Sequence, residues 1–239
     1  MSGTASAKIH PTAFAYHAEV GLTPLSEEKR RVLAWVGRGR RVLEVGAHTG
    51  FLTAHLSEQD CDVTAVEIDA RAARGAQTHA ARVVVGDYED AATRRAVGGA
   101  FDVALFPHVL EHMVDPWAAL QATRSLLAPD GRLIVLLPNV ASWVTRKTLF
   151  FQGRFDYQDT GILDRTHLRF FTLDSAMALI EAGGFDLLAT ELLDTNVPLA
   201  RRLRSLPGVT RWRRWMVRRY PNLCAEILLL VGQPRAEAR

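Results

Sequence analysis

Three side chains able to take part in proton transfer lie within five residues of one another. His108, Glu111 and His112 stand at positions i, i+3 and i+4, and on a short helix this spacing brings all three to one side. An imidazole whose pKa lies near neutrality can accept a proton from a reacting hydroxyl group. The segment around His108 is therefore a candidate reaction centre, with His108 as a candidate general base.

A second candidate site lies upstream, where an apolar strand with an acidic residue near its end runs into a glycine turn. The segment Arg41–Gly50 reads RVLEVGAHTG. Gly46 lets the backbone turn close to a ligand, and Gly50 lets the next helix pack tightly against the strand. Glu67 ends the next predicted strand 17 residues after Gly50, where a carboxylate can accept hydrogen bonds from both hydroxyls of a ribose. The pattern predicts a nucleotide-cofactor site.

These residues must be positioned by the elements around them, and strand-like and helix-like segments alternate along the chain. Alternation favours an α/β domain with a parallel, doubly wound sheet. The sequence Pro-Asp-Gly at 129–131 predicts a turn before the fifth strand. The predicted strands are Arg41–Val45, Asp62–Glu67, Arg82–Val85, Phe101–Phe106, Arg132–Leu137, Phe185–Leu193 and Cys224–Val231, and the predicted helices are Leu25–Val36, Thr49–Ser57, Ala70–His79, Pro116–Leu127 and Leu173–Ala182.

Length and composition favour one catalytic domain. The chain has 239 residues, of which 48% are hydrophobic, and this suits a single α/β domain with a sizeable core. Its longest apolar runs have the length of strands, so we expect a soluble, cytoplasmic protein. Cys61 and Cys224 show no Cys-x-x-Cys spacing, and we expect both to be unpaired core residues.

Positive charge is concentrated in one segment. Eight arginines and no acidic residue lie between Val197 and Leu223, and without them the net charge of +3 becomes −5. A general nucleic-acid-binding surface is therefore not expected. Apolar residues recur there at helical intervals, interrupted by Pro207-Gly208, which predicts two short amphipathic helices. Either a solvated cap or a docking surface for an acidic membrane or a phosphorylated substrate fits the pattern. The residues predicted to pack inward are Leu203, Leu206, Trp212 and Trp215.

The part of the chain from Val32 to Leu137 resembles the class I S-adenosylmethionine-dependent methyltransferases in the order and content of its motifs. Its turn reads Glu-x-Gly-x-x-x-Gly, and His48 stands where a middle glycine is often found. The resemblance implies a Rossmann-like, seven-stranded, mostly parallel sheet with an antiparallel final strand, and S-adenosylmethionine as cofactor. It assigns the methionine end of the cofactor to Glu44, the ribose to Glu67 and the adenine to Asp87. The full set that it implies is Glu44, Gly46, Ala47, His48, Gly50, Glu67, Ile68, Asp87, Tyr88 and Pro107.

The residues after the fourth predicted strand resemble a narrower group. Leu-Glu-His at 110–112, followed by Asp-Pro at 115–116, is similar to the ubiquinone-type O-methyltransferases and the small-molecule enzymes around them. The Asn-Pro-Pro-Tyr or Asp-Pro-Pro-Tyr sequence of base-methylating enzymes does not occur here. Downstream, residues 153–172 resemble a segment found in methyltransferases near glycosyltransferase and natural-product clusters. This implies a substrate-binding lid over residues 139–172, and long ordered loops of this kind are usually functional.

Part of this region also resembles a metal-binding pattern. Small-RNA 2′-O-methyltransferases carry Glu-x-x-Glu-His and a distant histidine, and here His108 stands at the first position and His167 at the last. The resemblance implies a metal site of His108, Glu111, His112 and His167. Three imidazoles and one carboxylate suit Zn²⁺, Fe²⁺, Co²⁺ or Mn²⁺ better than Mg²⁺. Two alternatives stay open: a metal-free general base at His108 or His167, and a purely structural role.

Together, these patterns predict an enzyme that methylates a hydroxyl of a small-molecule biosynthetic intermediate such as a sugar, a polyketide or a phenol. One alternative is methylation of carbon, nitrogen or an RNA terminal ribose. Another, suggested by His48, is a catalytically silent cofactor-binding partner. We expect one methyltransferase domain over residues 1–239, with an N-terminal helical cap at 1–38, the lid at 139–172 and a basic helical insertion at 195–222.

Overall fold

A computed structural model describes residues 25–198 and 207–236 of the chain. Strands β1 to β5 run parallel, and β7 lies antiparallel to both β5 and β6. The sheet order is β3-β2-β1-β4-β5-β7-β6, which confirms the predicted seven-stranded, mostly parallel sheet with an antiparallel final strand. The strands are β1 (Arg41–Val45), β2 (Asp62–Glu67), β3 (Arg82–Val85), β4 (Phe101–Pro107), β5 (Leu127–Pro138), β6 (Phe185–Leu193) and β7 (Ile227–Pro234).

Helices cover both faces of this sheet. Along β5, Leu133 and Val135 belong to the apolar core that contains residues of helices α5 and α7, whereas Ile134 and Leu136 belong to the core that contains α1 and α2. Side chains of a strand alternate between faces, so a continuous apolar run is buried on both sides. The helices in the described residues are α1 (Glu27–Val36), α2 (Phe51–Glu58), α3 (Ala70–Ala76), α4 (Ala91–Val97), α5 (Pro116–Arg124), α6 (Trp143–Gln152), α7 (Leu173–Ala182), α8 (Val209–Arg219) and α9 (Pro221–Cys224).

Several local predictions differ from the structure, among them the start of β5 and the element that holds Cys224. Residues 129–131 do not form a turn before β5 but lie within that strand. The pairing with β4 jumps from Phe101–Leu127 to Val103–Arg132, so the extra residues of β5 are accommodated as a bulge. Cys224 lies in α9 and not in a strand, although both cysteines are free and buried as predicted.

The glycine turn after β1 is shaped by a close approach between two helices. Gly50 has φ +82°, and a Cβ atom there would lie 2.5 Å from the Cα of Ala76 in α3. Gly50 therefore allows the start of α2 to approach α3, a contact that the predicted packing against the strand did not include. Gly75 makes the reciprocal approach, because a Cβ there would lie 2.5 Å from the carbonyl oxygen of Thr49.

We expect Gly50→Ala to destabilise the fold more than a matched substitution elsewhere. Gly153 also has a positive φ, +61°, but a Cβ there would meet nothing within 4 Å. Both substitutions place a Cβ atom on a left-handed backbone, which destabilises the fold. Only Gly50→Ala adds a backbone clash, which should lower the free energy of unfolding by about 2 kcal/mol more. Urea unfolding of the two variants measures the difference, and equal losses of unfolding free energy would refute the packing role of Gly50.

The basic insertion is described only in part. Leu203 and Leu206 lie outside the described residues, as do residues 1–24 of the predicted N-terminal cap. Trp212 packs against Val197 and Cys224 as predicted. The inward packing predicted for Trp215 is wrong, because this residue is 53% exposed. No helix of the described residues is long and apolar enough to cross a membrane.

Candidate active site

A pocket of about 1220 Å³ lies at the carboxyl ends of the first four parallel strands. Ligands of open α/β sheets bind at this edge, where the loops after the strands meet. Of the ten residues predicted to contact the cofactor, nine line the pocket, and Gly50 is the exception because it supports the helix contact described above. The nine are Glu44, Gly46, Ala47, His48, Glu67, Ile68, Asp87, Tyr88 and Pro107.

The Glu67 carboxylate is fixed in the wall of this pocket. Its two oxygens accept hydrogen bonds from the backbone N–H groups of His48, at 2.7 Å, and Asp69, at 2.9 Å. A carboxylate can accept about four hydrogen bonds, so both oxygens keep capacity for ribose hydroxyls. The glycine turn and the end of β2 thus hold one another in place through Glu67.

Glu44 occupies a different environment, deep in the wall. The residue is 1% exposed, and the hydroxyl of Thr53 donates a hydrogen bond of 2.7 Å to its carboxylate. Burial and, to a smaller extent, the nearby charge of Glu67 raise the pKa of Glu44 to about 7, although the Thr53 hydrogen bond opposes the shift. Near neutral pH, a small change in the surroundings can therefore switch the charge of Glu44.

His48 adopts a backbone conformation that glycine normally supplies. Its φ is +49°, in the left-handed region where most side chains are disfavoured. This explains why a glycine is often found at this position in the family that the motif resembles. The residue is exposed, and its N–H is bound to Glu67.

Asp87 and Tyr88 contribute to the pocket in unequal ways. One oxygen of the Asp87 carboxylate accepts a hydrogen bond of 2.8 Å from the N–H of Glu89, which leaves the other oxygen for a ligand. The ring of Tyr88 is buried in the core, where its hydroxyl is 2.8 Å from that of Thr123. Tyr88 therefore shapes the wall and does not offer its hydroxyl to a cofactor.

His108 is held as a cation between two carboxylates. Its Nε2 atom lies 3.0 Å from Glu28 of α1, and its Nδ1 atom lies 3.5 Å from Glu111. Burial lowers the pKa of His108, but the hydrogen bonds to Glu111 and Glu28 outweigh it and raise the pKa to about 10. An imidazole protonated on both nitrogens can neither accept a proton nor bind a metal.

A compact cluster forms at Glu111, His112 and His167. One ligand atom of each residue lies within 4.8 Å of those of the other two, and the rings of His112 and His167 are 4.8 Å apart. Glu111 and His112 lie in a short 3₁₀ helix, Leu110–His112. His108 precedes this helix with φ +55°, so it contacts Glu111 as predicted but from outside the helix, and it is not part of the cluster.

The segment predicted as a lid brings His167 to this cluster through its backbone. The carbonyl oxygen of Glu111 accepts hydrogen bonds from the N–H groups of Leu168, at 2.8 Å, and Arg169, at 3.0 Å. These bonds place the imidazole of His167, which is 6% exposed, with its Nε2 atom 4.0 Å from the Glu111 carboxylate. Burial lowers the pKa of His167, so its neutral form is favoured at physiological pH.

Both histidines of the cluster have one nitrogen occupied by the lid backbone. Nδ1 of His167 lies 3.1 Å from the carbonyl oxygen of Ile162, and Nδ1 of His112 lies 3.2 Å from that of Thr166. A neutral imidazole that donates from Nδ1 carries its lone pair on Nε2. Each ring can therefore present an unprotonated Nε2, and metal-binding histidines are commonly oriented by the same kind of carbonyl contact.

Two further residues at the pocket had no signal in the sequence. Glu28 reaches His108 from α1 across 80 residues, and no motif links the two positions. Asp194 follows β6 and lines the same part of the pocket, where burial and the charges of Glu28 and Glu27 raise its pKa. Only the contact between sheet and helix brings these groups together.

Comparison with known proteins places this geometry in a family. The methyltransferase domain family matches residues 16–190 of the chain. The chain belongs to this family. Its fold and its cofactor motifs are those of the class I methyltransferases that use S-adenosylmethionine.

Curated relatives of this methyltransferase match about half of its length. It is 29% identical over 119 residues to a ubiquinone biosynthesis O-methyltransferase of Ralstonia nicotianae, a match that covers 46% of the chain and 50% of the relative. The enzyme of the same name from Xanthomonas axonopodis pv. citri is 35% identical over 103 residues, covering 41% of the chain and 42% of the relative. The chain thus spans about half the length of the curated relatives it matches.

Solved structures support the methyltransferase fold over a longer range. A methyltransferase from Archaeoglobus fulgidus, described as dependent on S-adenosylmethionine, aligns with a TM-score of 0.64 at 15% identity and covers 86% of this chain and 91% of its own. The 1,6-didemethyltoxoflavin-N1-methyltransferase of Burkholderia thailandensis, solved with bound 1,6-didemethyltoxoflavin and S-adenosylhomocysteine, aligns with a TM-score of 0.55 at 21% identity and covers 88% of this chain and 78% of its own. At these identities the likeness concerns the fold alone.

Proposed function

We propose that this methyltransferase transfers a methyl group from S-adenosylmethionine to a hydroxyl of a small-molecule biosynthetic intermediate, such as a phenol, a sugar or a polyketide. The observation that carries the proposal is the cluster of Glu111, His112 and His167, which lies in the same pocket as the cofactor residues. A hydroxyl must lose its proton as it attacks the methyl group, and this cluster offers groups suited to that step. The printed names of the curated relatives, ubiquinone biosynthesis O-methyltransferases, agree with oxygen as the acceptor atom.

The cluster fits a divalent cation. Glu111 is 1% exposed, and its Oε2 atom has no hydrogen-bond partner among the described residues. A buried carboxylate oxygen without a partner is costly, and a metal ion would satisfy it. Glu111, His112 and His167 would supply one carboxylate and two imidazoles, a donor set suited to Zn²⁺, Fe²⁺, Co²⁺ or Mn²⁺. When bound, such an ion would lower the pKa of a coordinated hydroxyl and orient it.

The protein's own groups account for the remaining requirements. Glu67 and Asp87 would hold the ribose and the adenine of the cofactor, and Pro107 at the end of β4 lines the same pocket. His167, neutral and with Nε2 free, is the group that takes up the proton if no metal is bound. Holding the acceptor oxygen in line with the methyl group and the sulfur supplies much of the rate enhancement.

The acceptor end of the pocket suits a molecule that carries hydroxyl groups on an apolar framework. This end is formed by the predicted lid, α6 and the residues after β6, and its lining combines apolar side chains with hydroxyls, carboxylates and the guanidinium of Arg165. Carboxylates and hydroxyls accept hydrogen bonds from the hydroxyl groups of a ligand. The polar residues in question are Glu28, Thr145, Thr148, Gln158, Asp164 and Asp194.

The proposal is tested by following S-adenosylhomocysteine formation with a panel of catechols, simple phenols and sugars, after metal analysis of the purified protein. We expect turnover with hydroxyl acceptors, a stoichiometric divalent cation and loss of turnover on chelation. Turnover only with amine or carbon acceptors would overturn the choice of oxygen. Full turnover without any bound metal would overturn the cation site and leave His167 as general base.

A further inference from the structure

Helix α8 lies in the connection between the last two strands, β6 and β7. Asp194, directly after β6, and Ile227, at the start of β7, both line the pocket. The inner side of α8 is anchored, because Trp212, Met216 and Val217 pack in the small core around Cys224. The outer side of α8 is therefore a surface held on the folded domain.

The outer side of α8 exposes aromatic rings among arginines. Trp215 is 53% exposed and Tyr220 is 42% exposed, and their rings meet edge to face at 6.0 Å. Arg211, Arg218 and Arg219 stand at i−4, i+3 and i+4 relative to Trp215, which makes them its neighbours on the helix surface. An indole ringed by cations is typical of helices that lie in the interface of a bilayer.

Within residues 25–198 and 207–236, no acidic side chain compensates the charge of α8. Arg211, Arg213, Arg214, Arg218 and Arg219 form no ion pair with any residue that the structure describes, whereas four exposed arginines elsewhere pair with Asp60, Asp156, Asp159 and Asp186. No acidic residue lies between Val197 and Leu223. The segment therefore presents a positive surface that complements an anionic one.

We propose that the outer face of α8 docks on an anionic lipid bilayer, with Trp215 at the level of the headgroups and the arginines around it facing lipid phosphates. The docking does not depend on which acceptor is methylated. It makes the enzyme a peripheral protein that binds anionic membranes through one helix.

Co-sedimentation with phosphatidylcholine vesicles that contain increasing fractions of phosphatidylglycerol tests this docking. Each arginine near an anionic surface contributes about fivefold to binding, so Arg211→Gln/Arg218→Gln should weaken it roughly 30-fold. The control, Arg40→Gln/Arg95→Gln, removes the same charge from exposed positions outside α8 and should change binding little. Trp215→Ser should weaken binding even at salt concentrations where charge is screened beyond about 8 Å.

Titration with S-adenosylmethionine shows that each variant is folded. Three results would overturn the proposal: no sedimentation with anionic vesicles at low salt, equal losses in the α8 variant and its control, or binding unaffected by Trp215→Ser. Release by inorganic phosphate beyond that by chloride at equal ionic strength would reveal an ion site in place of a bilayer surface. Concentration-dependent self-association that Trp215→Ser abolishes would instead assign the face to a second copy of the chain.

Discussion

Replacing His167 by alanine is expected to lower turnover by ~10²- to 10⁴-fold, the usual contribution of a positioned proton acceptor, while S-adenosylmethionine affinity stays unchanged. The imidazole lies in the Glu111 cluster, and its backbone hydrogen-bond partner is the lid carbonyl of Ile162. None of the residues assigned to the cofactor depends on it. Single-turnover kinetics and isothermal titration measure the two quantities separately.

His79→Ala is the matched control, since this histidine lies between α3 and β3 at the opposite edge of the sheet. Glu111→Gln distinguishes the metal-assisted mechanism from the metal-free general base. A metal site would lose its ion in both Glu111→Gln and His167→Ala. With a metal-free base, neither substitution would alter metal content. Unchanged turnover in His167→Ala would exclude both forms.

Glu44→Gln should stabilise the cofactor-free protein at pH 8 and weaken cofactor binding. The pKa of Glu44 is about 7 in the fold and 4.5 in the unfolded chain, so its contribution to stability is present below pH 4.5 and is lost as the pH rises through 7. Above pH 7, the difference of about 2.5 between the two pKa values lowers the free energy of unfolding by at most about 3 kcal/mol. Glutamine removes this loss, because it stays neutral and can still accept a hydrogen bond from Thr53.

The same substitution removes the anion expected at the positively charged methionine end of the cofactor, which should cost about 1 to 3 kcal/mol of affinity. Urea unfolding at pH 4 and pH 8 measures the first effect, and titration calorimetry measures the second. In the unaltered protein, calorimetry near pH 7 should also show proton release on binding. Glu58→Gln on the exposed side of α2 is the control, and a stability gain equal at both pH values would contradict the role of Glu44.

The cofactor half of the site could be predicted because its information is local. Glu44, Gly46 and Glu67 belong to strand-turn-helix units, and parallel strands bring the ends of such units to one edge. Periodicity also predicted most helices and strands, because the residues that pack into the cores on the two faces of the sheet recur at regular intervals in the sequence. The bulge in β5 escaped prediction because its pairing depends on β4 and not on residues 129–131 themselves.

The reacting half could be predicted only in part, because it depends on contacts between distant segments. The lid resemblance indicated His167, and two backbone hydrogen bonds to Glu111 place it. Nothing local indicated that Glu28 would pair with His108 and raise its pKa. The exposure of Trp215 was also missed, since helical spacing identifies an apolar face but not how far around the helix the core extends.

The two hydrogen bonds that Leu168 and Arg169 donate to the Glu111 carbonyl oxygen couple the position of this segment to that of His167. Any motion of this segment that broke the bonds from Leu168 and Arg169 would also withdraw His167 from Glu111. A form with these bonds broken would therefore lack the complete cluster. The hydrogen-exchange rates of the Leu168 and Arg169 amides measure how often these two bonds break. Slower exchange on addition of an acceptor would indicate that the acceptor stabilises the complete cluster.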